Sequence, residues 1–208
     1  AQVAEINTQH DGMGYFTLDA VAGETYSAKW KDDQGKQVQT PLPAVQKEGI
    51  SIEIKISEGR RGFLLKRSQD APGSFKKLNL VVTMDQQLVY MATIRLEETL
   101  VTGGSLPVNE LPSGILQFTI FDSNWVAVAE RITFINNNNY RFEPEVGFAT
   151  LGTTKRAKNV LVISVPDDIE SNLSVAVTDA GLGIDSSADI ISHLLLTSDI
   201  KGYVHNPG

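Results

Sequence analysis

The chain has 208 residues, a net charge of −7, no cysteine, and 41% hydrophobic residues. That is enough apolar material for one large domain or roughly two to three small ones. It excludes disulfides, thiol nucleophiles and thiolate metal sites, and on average it repels a phosphate backbone.

In chain order, the dominant period is two. "GYFTLDA" alternates Tyr15, Thr17 and Asp19 against Phe16, Leu18 and Ala20, which predicts a strand. "TYSAKWK" places Tyr26, Ala28 and Trp30 on one face, so Trp30 is expected in a core. "KDDQGKQ" at 31–37 offers a glycine for a hairpin turn. "ISIEIKI" sets Ile50, Ile52, Ile54 and Ile56 inward and Ser51, Glu53 and Lys55 outward, the mark of a half-buried antiparallel strand. Further strands are expected at 63–67, 78–84, 88–96, 99–102, 115–121, 127–135, 159–165 and 173–178. "DAPGS", "MDQQL" and "FDSNWV" interrupt them as turns, and "TGGS" at 102–105 reads as a bulge or a loop crossing between sheets. Only "SADIISHLLLTSDIKGY" departs from the pattern. Ile190, Ile191, Leu194 and Leu195 recur at helical spacing, which predicts a short helix over 188–197 with Asp189 or Ser187 as its cap, a fully buried strand over Leu194–Thr197 being the alternative.

Short strands recurring every 8–12 residues or so indicate an all-β fold of antiparallel sandwiches. About seven strands fall between Ile50 and Ile135, enough for one immunoglobulin-like sandwich. The expected organisation is a partial sandwich at 1–48, a complete seven-stranded one at 49–136, and a partial one with the short helix at 137–208. Asn136 to Asn139 mark the seam, and the next unit is expected to open at Tyr140. Both ends read as cuts within a longer chain.

Three stretches carry a resemblance. "GMGYFTLDAVAGETYSAKW" with "GKQVQTPLPAVQKEGISIEI", "ELPSGILQFTIFDSNWVAVAERITFIN", and "NLSVAVTDA" with "DIISHLLLTSDIKGYVHNPG" together resemble the macroglobulin-like domains of the alpha-macroglobulin superfamily. The likeness covers most of the chain and is closest to large exported bacterial proteins. Some of these continue into a TonB-dependent-receptor plug. The resemblance implies a non-enzymatic spacer and protein-binding scaffold in a cell-envelope protein, secreted through a signal peptide not present here. The implied partners are other domains of the same long chain and an envelope protein or peptide. The family's thioester needs a cysteine, which this chain lacks.

The residues themselves offer no reaction. His10, His193 and His205 have no metal-ligand spacing. Asp32-Asp33, Glu97-Glu98 and Asp167-Asp168 are neighbours that a strand would point apart or a turn would solvate. Asp32-Asp33 with Gly35 lacks the ligand ladder of a calcium loop. No G-x-S-x-G elbow or phosphate-cradling loop occurs. The basic clusters Arg60-Arg61, Lys66-Arg67, Lys76-Lys77 and Lys155-Arg156-Lys158 lack interleaved aromatics, so no nucleic-acid partner is expected. No apolar run approaches the ~18 residues of a membrane span. No cofactor is expected. Candidate partner or interdomain contacts are Trp125, Tyr140 and Arg141, expected together at the joint beside the asparagines. A carbohydrate-binding accessory module is the alternative, and it requires a row of exposed aromatics on one sheet face.

Overall fold

The computed structural model describes residues 2–9, 13–166, 170–179, 181, 189–202 and 204. It is an all-β molecule of antiparallel sheets with one short helical segment near its C-terminus. Strands β1 (Ser27–Lys31) and β2 (Gln37–Pro41) form a hairpin. Strands β3 (Ile50–Ser57), β4 (Arg60–Arg67), β5 (Lys77–Met84), β6 (Gln87–Arg95), β7 (Val101–Pro107), β8 (Gly114–Phe121) and β9 (Ala127–Ile135) form two sheets. One has the order β3-β4-β7 and the other β6-β5-β8-β9. Strands β10 (Glu145–Thr150) and β11 (Val160–Ser164) form a second isolated hairpin. The helix α1 (Ile190–Ser192) runs directly into a π-helical turn, His193–Thr197.

Alternation explains the sandwich. Ile52, Leu65 and Leu106 from the three-stranded sheet share one core with Leu78, Leu80, Val82, Leu116, Phe118 and Ile120 from the four-stranded sheet. The Phe63 and Phe118 rings meet across the layer at 6.4 Å, tilted by 51°. Each fully buried Leu, Ile or Phe contributes about 1.5–3 kcal/mol, so this cluster dominates the stability.

The inner face of β4 reads Arg61, Phe63, Leu65, Arg67. Its apolar middle is closed at each end by an arginine. Arg61 donates to Thr133 Oγ1 at 3.3 Å and to the Phe134 carbonyl at 2.9 Å. Arg67 donates to the Leu96 carbonyl at 3.0 Å. The long stems lie along the core while the guanidiniums fasten one sheet to the strands of the other.

Several expectations change. "TGGS" is neither bulge nor crossing loop: Thr102 to Ser105 lie inside β7, paired with β4. The glycines are needed because Phe63 lies across from Gly104, and a Cβ there would stand 2.8 Å from the ring's Cζ. The weak strand at 99–102 is β7, displaced to 101–107. Residues 15–20 and 173–178 form no strand, because no partner pairs with them among the described residues. Trp30 is 47% exposed rather than buried, since it sits on a two-stranded hairpin that no second layer covers among the described residues. Ile56, expected inward, is 73% exposed, because β3 runs on past the core at that end. The strand after the asparagines opens at Glu145, not at Tyr140. The helical segment is shorter and less regular than expected. Asp189 caps it, accepting from the Ser192 N–H at 2.6 Å, while Ala188, Ser187, His10, His205 and the Asp167-Asp168 pair lie outside the described residues.

Candidate contact sites at two poles

Seven antiparallel passages are an odd number. A chain that enters such a sandwich at one pole therefore leaves it at the other. Strand β3 starts beside the end of β4, at Ile50 opposite Arg67. Strand β9 ends beside the start of β8, at Ile135 opposite Gly114. The eight residues of β3, at about 3.4 Å each, set the poles about 25 Å apart.

Trp125 stands at the pole where residues 2–48 join. It occupies the β8–β9 turn with φ of 60°. A bulky side chain in the left-handed region costs on the order of 1 kcal/mol. Asp122 builds this turn: its Oδ1 accepts from the Asn124 N–H at 2.8 Å and the Val126 N–H at 3.0 Å. The Val126 bond leads, helped by Asn124 and Ser74 and opposed by burial, and together they hold the Asp122 carboxyl below its ordinary range. The turn thus fixes Trp125 outward, 57% exposed, with only one face against the Phe121 ring at 5.7 Å.

Tyr140 and Arg141 lie at the opposite pole. The nine residues of β9 separate them from Trp125, so the three do not form one joint. The expectation failed because the turn and the asparagine run flank the same strand at its two ends. Tyr140 lines a cleft with Met84, Asp85, Leu194 and Leu195, where the π-helical turn leans on the start of β8. Arg141 is exposed, and its N–H reaches the Asn138 carbonyl at 3.5 Å.

The residue type alone allows a left-handed turn and amide capping at the asparagines, but the loop they bond to was not found from the sequence. Asn137 Nδ2 donates to the carbonyls of Val108 and Leu111, both at 2.7 Å. Asn139 Oδ1 accepts from the Ser113 N–H at 2.9 Å and its hydroxyl at 3.0 Å. Asn138, with φ of 55°, turns the chain between them. The run staples the 108–113 loop to the exit of β9 with side-chain amides, which carry both donor and acceptor. The polar loop "PVNELPS", rich in carbonyls that no strand could pair, was the signal in the sequence.

Among the described residues no three His, Asp or Glu side chains gather to hold a metal ion. No helix among them is long and apolar enough to cross a membrane. Asp32 is explained by its turn, where it accepts from Gln34 and Lys36 N–H groups at 3.0 and 2.9 Å. His193 Nδ1 lies 3.0 Å from Thr197 Oγ1, within its own turn. No family model and no curated protein matches the chain.

Proposed function

We propose that this chain is a non-enzymatic structural and interaction module of a large bacterial cell-envelope protein. It acts as a rigid spacer and protein-binding scaffold. The observation that carries this reading is the pole-to-pole path: the preceding segment joins the sandwich about 25 Å from where the following one leaves. A module traversed in this way adds length between its neighbours. The two arginine clamps and the asparagine staple favour a stiff unit, because each ties backbone at a pole to the core.

The envelope location, the macroglobulin-like family and partners among the same chain's other domains rest on the resemblance of "LPSGILQFTIFD", "AERITF" and "LLLTSDIKGYVHNP". In this reading Tyr140 and Arg141 steady the joint after the sandwich, and Trp125 contacts whatever lies at the other pole. Among the described residues the exposed aromatics are Tyr15 and Phe16, neighbours outside any strand, and Trp30, Tyr90, Trp125, Phe134 and Phe148 on separate elements and turns, which gives no support to a glycan-binding row.

The test is solution scattering and pull-down from envelope extract with the full chain. Tyr140→Ala is expected to change the scattering profile, and Trp125→Ala to weaken capture. Identical profiles and identical capture for both variants would overturn the contact assignments.

A further inference from the structure

Asn172 stands in the run Glu170-Ser171-Asn172-Leu173-Ser174. No other asparagine of the chain has Ser or Thr two positions later, and the residue between the two is not proline. Two positions before Asn172 stands a carboxylate, Glu170.

The structure decides whether such a run can be reached. Other asparagines are committed. Asn79 is buried and accepts from the Thr93 hydroxyl. Asn137 and Asn139 staple the 108–113 loop, and Asn159 accepts from the Gly152 N–H. Asn172 is exposed, and its amide has no hydrogen-bond partner among the described residues. The chain passes from 170 to 179 without a turn or a strand pairing. Val175 and Val177, apolar side chains that a packed layer would cover, are 58% and 92% exposed. A modifying enzyme must draw its acceptor out of the protein's own backbone ladder, and here there is no ladder to break.

An amide nitrogen is a weak nucleophile, because its lone pair is delocalised into the carbonyl. Its glycosylation therefore needs an enzyme that grips the acceptor on both sides. The Ser174 hydroxyl offers a hydrogen-bonding handle after Asn172. The Glu170 carboxylate offers an anionic one before it, fit for a cationic side chain of the enzyme. We infer that Asn172 is the acceptor of an N-linked oligosaccharide, delivered by a bacterial oligosaccharyltransferase from a lipid-diphosphate donor. Nδ2 attacks the anomeric carbon of the donor sugar. A C–N bond forms, the bond from the anomeric carbon to the diphosphate oxygen breaks, and the lipid diphosphate leaves with that electron pair. One amide proton passes to a base of the enzyme. The glycan is bulky and solubilising, and it stands beside the exposed Leu173, Val175 and Val177. The inference deepens the envelope reading and rests on it, because such donors are used outside the cytoplasm.

The test is transfer in vitro: the folded full chain, a purified bacterial oligosaccharyltransferase and a lipid-diphosphate-linked oligosaccharide, read by intact mass and by peptide fragmentation. Wild type is expected to gain one glycan, located on Asn172. Asn172→Gln and Ser174→Ala are expected to gain none, and Ser174→Thr to keep the modification, since it keeps the hydroxyl. Glu170→Gln is expected to slow transfer at least about tenfold, the scale of losing a charged hydrogen-bond partner. Wild type that stays unmodified, a glycan on any other residue, or equal transfer to Glu170→Gln overturns the inference. Fractionation of cells that make the protein separates this failure from that of the envelope reading. A chain found in the envelope but refused by the enzyme overturns the acceptor alone. A chain modified in vitro but confined to the cytoplasm supports the acceptor chemistry and overturns the envelope location.

Discussion

Arg61 and Thr133 are 72 positions apart, both are buried, and the guanidinium Nε of one donates to the hydroxyl of the other at 3.3 Å. The same guanidinium donates to the Phe134 carbonyl at 2.9 Å and to the Arg60 carbonyl at 3.1 Å. Its partners are neutral oxygens on two strands of different sheets, so the cation works as a bracket between layers. Arg67 does the corresponding job at the other pole through the Leu96 carbonyl.

Arg61→Ala is accordingly expected to lower unfolding free energy by about 2–3 kcal/mol, the scale of hydrogen bonds from a charged donor together with the carbonyls left behind. Arg60→Ala, one residue away on the outer face, is expected to cost under about 1 kcal/mol, because its bonds to Ser105 are solvent-exposed. Urea denaturation of both variants measures the contrast.

The fold class was legible because Ile52, Leu65, Leu80, Phe118 and their neighbours recur with the period of two that a half-buried strand imposes. Strand β9 was placed to the residue for the same reason. The arginine brackets were not legible. Arg60-Arg61 and Lys66-Arg67 read only as basic clusters without interleaved aromatics, and nothing in a local pattern says that one member of each pair points inward. The sites were half legible. Trp125 was recognisable as a large residue in a polar turn, but its distance from Tyr140 depends on strand direction and register. Trp30 and the 15–20 segment misled because alternation announces a face without guaranteeing a layer to cover it.

The asparagine run yields an ordered prediction. Asn137→Ala removes two short bonds to the loop carbonyls, which keep only the Leu111 N–H on Val108 and the Asn139 amide on Leu111, and is expected to cost about 1–3 kcal/mol. Asn139→Ala is expected to cost somewhat less, because it sits in a more exposed part of the staple. Asn138→Gly is expected to be neutral or slightly stabilising, since its φ of 55° suits glycine. Thermal melts of the three variants give the order, and equal effects would contradict the staple.

Trp125→Gly is expected to leave stability within about 1 kcal/mol of wild type. Relief of left-handed strain offsets loss of the ring contact with Phe121, which is worth about 0.5–1.5 kcal/mol. A calorimetric scan that showed severe destabilisation would make Trp125 a packing residue instead.

Asp122 predicts acid sensitivity. Its carboxyl is held low chiefly by the Val126 N–H, with smaller help from Asn124 and Ser74 against the opposing effect of burial. A carboxylate lowered on folding contributes stability that is present above its unfolded value, about 4. That stability is lost as pH falls through the folded value. Denaturant midpoints should therefore drop below pH of about 4, and Asp122→Asn should flatten part of that drop while lowering stability at neutral pH. Asp189, held low first by the Ser192 N–H, acts in the same direction at the helix cap.

The pole-to-pole path is tested most directly by a distance. Because the chain contains no cysteine, Glu48→Cys with Asn136→Cys gives a uniquely labelled pair for pulsed electron–electron resonance. One label sits just before β3 and the other just after β9. A single narrow distribution centred at about 25–30 Å is expected from the length of one strand plus label linkers. A broad distribution, or a peak below about 15 Å, would contradict the account, because entrance and exit would then share one end and the module could not act as a spacer.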